Sequence, residues 1–201
     1  MLAAAALPPA PAGLYQTARP VRATIALRLR PGGRVVAHLR ARTRFGSPLV
    51  LGVVAQRGEW VGVITSALPN GRLGWVRRRA VRVAGAPVTI VVSLSGRTLV
   101  LRRGERVLRS LAVGVGTSTT PTPTGRFVVT DKLRGKAEYG CCILALSGHQ
   151  PAVAGWWPGA RLAIHGGAYG SSSYGCLHAS DRDLRFLMRH VPLGTPVIVE
   201  T

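Results

Sequence analysis

The sequence predicts a mainly β protein with a single short helix near its C-terminus. Three observations carry this. Glycine (25) and proline (14) are plentiful while aromatic residues make up only 5%, a balance that suits many short strands and tight turns. Apolar residues, 47% of the 201, are enough for a packed core. They fall in short runs bounded by turn signals, and one segment alone joins a helix cap to helical periodicity.

Taken in order, residues 1–18 read as a flexible lead-in. Met1 to Leu7 is too short for a signal-peptide core and lacks basic residues ahead of it, so it reads as the tail of an export signal. Five strand-like runs follow: Ala23 to Leu29, Val35 to Leu39, Leu49 to Ala55, Glu59 to Ile64 and Leu73 to Val76. Pro31-Gly32-Gly33, Gly46-Ser47-Pro48, Arg57-Gly58 and Pro69-Asn70-Gly71 separate them. Five short strands in so few residues predict a small barrel or sandwich over residues 19–84. Trp60 and Trp75 are read as filling its core, and Arg77-Arg78-Arg79 as a solvated run at its end. The Gly85-Ala86-Pro87 step marks a boundary.

A second unit, residues 88–201, opens with a meander: Val88 to Leu94, Thr98 to Leu101 and Val107 to Val115. A Pro121-Thr122-Pro123-Thr124-Gly125 turn then leads into a strand at Phe127. Leu133 to Gly159 is less regular and reads as a lid-like loop, with His149 at the surface. Ser180 is an N-cap with Asp183 three residues on, and Leu184, Leu187, Met188 and Val191 share one helix face. Pro192 and Gly194 end that helix, and Pro196 to Val199 returns as a strand.

The formal charge is +20, from 25 Arg and 2 Lys against 7 acids. Such a charge draws a protein toward polyanions. Anionic wall polymers and membrane surfaces fit it, whereas specific nucleic-acid binding lacks a reading helix or stacking aromatics. No run of about eighteen apolar residues is present to span a membrane as a helix. The three cysteines, Cys141, Cys142 and Cys176, include no C-x-x-C pair, which disfavours a zinc site or a disulfide framework. Cys141 and Cys142 are therefore read as small buried thiols.

The chemistry concentrates in Ala163 to Asp183. His165 ends an apolar run, a small-residue loop follows, and Cys176 comes after Gly175. Imidazole is the usual base for a cysteine nucleophile. Backbone N–H groups around Tyr174, Gly175 and Cys176 are candidates to face an oxyanion.

This stretch resembles the L,D-transpeptidase catalytic (YkuD-like) domain: a His-Gly step, a loop, then Ser173-Tyr174-Gly175-Cys176-Leu177-His178. The Pro121-to-Phe127 turn and the closing Val191-Pro192-Leu193-Gly194-Thr195-Pro196 segment resemble the same family, so the likeness covers about residues 88–200. Tyr174 replaces the family's usual His, His178 stands where Arg is common, and the loop is shorter. The tryptophan-bearing strands of residues 19–84 resemble bacterial SH3-like domains. Together the resemblances imply a small SH3-like barrel followed by a YkuD-like β-sandwich.

What the resemblance implies is an exported, cysteine-dependent acyltransferase acting on peptidoglycan stem peptides. Cys176 would attack, His165 would take its proton and the Gly166 carbonyl would orient the ring. Ser173, Tyr174, His178, Tyr139 and Trp157 would line the substrate. Carbapenem-type β-lactams would acylate the cysteine, and neither metal nor organic cofactor is required. Two other readings stay open: a wall-binding protein with a degenerate catalytic domain, and a cysteine-type wall hydrolase. Papain-like hydrolases usually place Cys before His, the reverse of the order here.

Overall fold

The computed structural model describes residues 15–153, 160–167 and 172–201. The first sheet has seven antiparallel strands: β1 (Gln16–Pro20), β2 (Thr24–Arg28), β3 (Val35–Arg40), β4 (Leu51–Arg57), β5 (Trp60–Ile64), β6 (Gly74–Arg77) and β7 (Val81–Gly85). Their order is β3-β2-β6-β5-β4-β1-β7. Two strands are additions to the five expected, and they pair with each other, Ala18 opposite Val83. The lead-in is thus corrected at its end, since Gln16–Pro20 is strand and Ala18 is fully buried. Neither β1 nor β7 announces itself locally, because each alternates only weakly and is held by its partner.

Alternation decides the two faces of this sheet. Ile25, Leu27, Leu51, Val61, Val63 and Val76 form one aliphatic cluster. Trp60 and Trp75 lie on the opposite face and are also buried, beneath arginine side chains.

The second unit contains β8 (Thr89–Ser93), β9 (Thr98–Arg103), β10 (Arg106–Ala112), β11 (Val115–Gly116), β12 (Gly125–Arg134), β13 (Cys142–Gln150), β14 (Ala160–His165), β15 (Ser172–Ser173), β16 (Leu177–His178), α1 (Asp181–His190) and β17 (Pro196–Glu200). Eight strands run in the order β10-β9-β8-β17-β12-β13-β14-β16, while β11 and β15 form a short parallel pair beside them. Within the large sheet, β17/β8 and β14/β16 are parallel. The core joins Ile90, Leu99, Leu101, Leu144, Leu162 and Ile164 to Leu184 and Leu187 of the helix.

α1 begins where the cap predicts. Ser180 Oγ accepts from Asp183 N at 3.2 Å and donates to Asp183 Oδ2 at 2.7 Å. Leu184, Leu187 and Val191 are fully buried.

Three expectations for 133–159 are corrected. This stretch holds a nine-residue strand, β13, whose last seven residues are buried, rather than a loop. The run around Leu144 looked irregular because β13 sits between two strands and buries consecutive residues, which erases alternation. His149 is 4% exposed, not a surface residue: its Nε2 donates to Ser66 O at 3.0 Å. Cys141 and Cys142 are joined by a disulfide. Cys141 is gripped on both backbone sides, its carbonyl by Gly135 N and its N–H by Asp181 Oδ1, in the turn that brings the adjacent sulfurs together.

The two sheets meet along a narrow seam. Asn70 Nδ2 donates to His149 O at 2.7 Å, and His149 N donates to Asn70 Oδ1 at 2.8 Å, so a turn side chain acts as a strand partner. Thr43 Oγ1 donates to the fully buried Asp131. Two glycines permit the close approach: a Cβ on Gly194 would stand 2.3 Å from Val50 Cγ1, and one on Gly52 would stand 2.6 Å from Val128 Cγ1.

Candidate active site

The site forms where β14 and β16 pair in parallel, Ile164 opposite Leu177 and His165 opposite His178. Residues two apart in a strand share a face. Leu177 therefore points into the core, and His178 emerges on the side of His165. Cys176 immediately precedes β16, and its sulfur lies along the edge of β14, against the backbone of Arg161 and Ala163, two residues before His165. The eleven-residue separation in sequence becomes an across-the-ladder relation in space.

His165 is 6% exposed, and its Nδ1 lies 2.7 Å from the carbonyl oxygen of Gly166. A carbonyl only accepts, so Nδ1 carries the proton and Nε2 keeps its lone pair. The ring is packed on both sides: Tyr139 meets it edge-on at 5.1 Å between centroids, and His178 lies at 4.4 Å. Gly166 is fixed in turn, its N–H donating to Tyr139 O at 2.9 Å. Burial, reinforced by His178, lowers the His165 pKa to about 4, so the imidazole is neutral at pH 7.

The Cys176 thiol is partly buried and donates to Arg161 O at 3.9 Å. Burial raises its pKa, opposed in part by the Ala163 N–H. Cysteine and histidine thus rest as a neutral pair, not as thiolate and imidazolium.

The loop before the cysteine is tied by Ser173. Its hydroxyl donates to Cys176 O and accepts from Gly175 N at 3.0 Å. That commits the Gly175 N–H and the Ser173 hydroxyl to the loop itself. Among the described residues no partner takes the N–H of Tyr174 or Cys176, so both remain candidates to face an oxyanion, whereas the Gly175 N–H is taken by Ser173. Tyr174 is 80% exposed and Tyr139 is 40% exposed, so both side chains reach solvent beside the site. Trp157 falls outside the described residues.

Two groups had no sequence signal. Gln150, 2% exposed, donates from Nε2 to Pro121 O at 2.9 Å and accepts from Ala152 N at 3.0 Å. It thereby ties the Pro121 turn to the strand end beneath Gly175. Asp181 at the start of α1 accepts from Cys141 N at 3.0 Å and abuts Gly166. The start of the helix therefore braces the histidine side of the site.

A His held by the next carbonyl, a Ser-tied loop and a Gly-Cys step at the end of a parallel strand pair accompany a family match over residues 87–199 to the L,D-transpeptidase catalytic domain, YkuD. The chain belongs to that family. It is similar to YkuD of Bacillus licheniformis, 33% identical over 119 residues, and to YkuD of Bacillus subtilis, 30% identical over 114 residues. Each match takes in 56% of this chain and 66% of the relative. Among solved structures, an Enterococcus faecium L,D-transpeptidase is similar with TM-score 0.46 and 21% identity, over 57% of this chain and 50% of that one. A Mycobacterium smegmatis L,D-transpeptidase is similar with TM-score 0.48 and 16% identity, over 76% and 90%.

Proposed function

We propose that this protein is a peptidoglycan L,D-transpeptidase at the cell wall, with Cys176 as nucleophile and His165 as its base. The observation that supports the reading is the β14/β16 pairing, with the Cys176 sulfur against the β14 backbone at Arg161 and Ala163 and the carbonyl-oriented His165 two residues further along that strand.

As Cys176 Sγ attacks the amide carbonyl of a stem peptide, His165 Nε2 takes the thiol proton. A raised thiol pKa and a depressed imidazole pKa make this transfer part of the attack, as general-base catalysis requires. The N–H groups of Tyr174 and Cys176 receive the tetrahedral oxyanion. Collapse breaks the C–N bond, and the imidazolium returns its proton to the leaving amine. The thioester is then attacked by a neighbouring stem's side-chain amine, His165 removes that amine's proton, and the thiol is restored. The chemistry needs no metal or organic cofactor. Tyr139, Tyr174 and His178 surround the place where the donor peptide would lie.

The test is intact mass after incubation with a carbapenem, comparing the parent with Cys176→Ala. One covalent adduct, lost in the variant, is the expected result. No adduct on folded parent protein would reject a cysteine acyltransferase and favour a wall-binding protein with an inactive catalytic domain.

A further inference from the structure

The charge is not spread evenly. Residues 15–86 contain fourteen arginines, no lysine and one acid, Glu59. The first sheet gathers several of these arginines on the face away from its aliphatic core. Trp60 lies directly opposite Arg77 on β6 and Arg57 on β4, and Trp75 lies opposite Arg28 on β2. Guanidinium groups cover both rings: Arg28 and Arg77 lie over Trp60 at 5.6 and 4.7 Å, and Arg57 over Trp75 at 5.4 Å.

Between β2 and β6 the sheet opens. The two strands pair through Arg28 and Trp75 alone, and beyond that point they diverge around a groove of about 490 Å³. Arg22, Arg28, Arg77 and Arg79 line it together with Thr24 and Ala26 of β2. Arg77 is paired with Glu59, and Arg28 donates to Gly33 O. Arg22 and Arg79 are exposed and, among the described residues, form no ion pair.

We infer that this groove binds a phosphodiester-linked wall polymer, with Arg22 and Arg79 gripping its phosphates. Guanidinium forks match phosphate oxygens two at a time, and arginine sheds its water more readily than lysine. The tryptophans argue against other occupants. At 8% and 6% exposed they offer no open ring on which a sugar or a nucleobase could stack. Their role is to hold the guanidinium planes flat. The preference for a wall polymer over nucleic acid rests on the function proposed above, whereas the groove itself does not. A phosphate-gripping groove would keep the catalytic unit beside its polymeric substrate.

The test is direct binding of the full chain to poly(glycerol phosphate) across a salt series. It is compared with the double variant Arg22→Ser, Arg79→Ser and with a control, Arg103→Ser, Arg106→Ser, which removes two exposed arginines from the β9–β10 turn. The groove variant should bind about tenfold or more weakly, its slope of log affinity against log salt shallower by about 1.5 for the two lost phosphate contacts, while the control stays near the parent. Equal losses in both variants, or none in the groove variant, would overturn the assignment and leave only diffuse charge. Stronger binding of a single-stranded oligonucleotide of matched charge would overturn the choice of polymer. The assay reads binding, so a failure here stands apart from a failure of Cys176 to acylate.

Discussion

Gly175→Ala tests whether the loop before the nucleophile is seated on Gln150. Gly175 has φ +102°, a conformation that side chains other than glycine rarely adopt, at a cost of about 1–3 kcal/mol. A Cβ placed there stands 2.0 Å from Gln150 Nε2 and 3.0 Å from its Cδ, so the amide has to leave. Gln150 is buried, and leaving breaks its bonds to Pro121 O and Ala152 N. Groups stranded in this way cost about 1–3 kcal/mol each. The variant should therefore lose about 4 kcal/mol of unfolding free energy in urea titration. It should also acylate more slowly with a carbapenem, because the Cys176 loop is displaced. Gln150→Ala removes the obstacle in advance. In that background Gly175→Ala should cost only the backbone part, giving a coupling of about 2 kcal/mol in a double-mutant cycle. Costs that simply add, within about 0.5 kcal/mol, would refute the claim that these two residues are in mutual contact.

His165 should make the fold acid-sensitive. Its folded pKa of about 4 lies below the ordinary 6.5, so the unfolded chain binds the proton first, and stability falls as pH drops from about 6.5 to 4. The loss is about 3 kcal/mol, and a His165→Gln variant whose urea midpoint fell just as steeply over that window would contradict it. Thiol titration in denaturant should find one reactive cysteine before reduction and three after, because Cys141 and Cys142 are bonded and Cys176 is free; three before reduction would exclude the disulfide. Ser180→Ala removes the cap of α1 and should cost about 1 kcal/mol, read as a shift in urea midpoint at unchanged slope; an unchanged midpoint would show that the cap contributes nothing. Leu184→Ala, at a fully buried position, should cost about 2–5 kcal/mol on the same scale, and a loss below 1 kcal/mol would mean that the helix is not packed as described.

The chain itself determined whatever depends on neighbours in sequence. Turn residues and alternating runs marked most strands, because steric limits and side-chain period act over a few residues. Ser180 and the Leu184, Leu187 and Val191 spacing marked the helix for the same reason. His165, Cys176 and the glycines between them were visible as chemistry-bearing types in a recognisable order. Tertiary structure decided what is made by partners distant in the chain. β1 and β7 exist because they pair with each other, and β13 hid its strand character by burying both faces. His149 became a seam residue only when Ser66 and Asn70 were brought to it. Gln150 and Asp181 gained their places in the site from Pro121 and Cys141, which lie 29 and 40 residues away. The depressed pKa of His165 likewise comes from burial, and burial is a property of the packed molecule that no local pattern encodes.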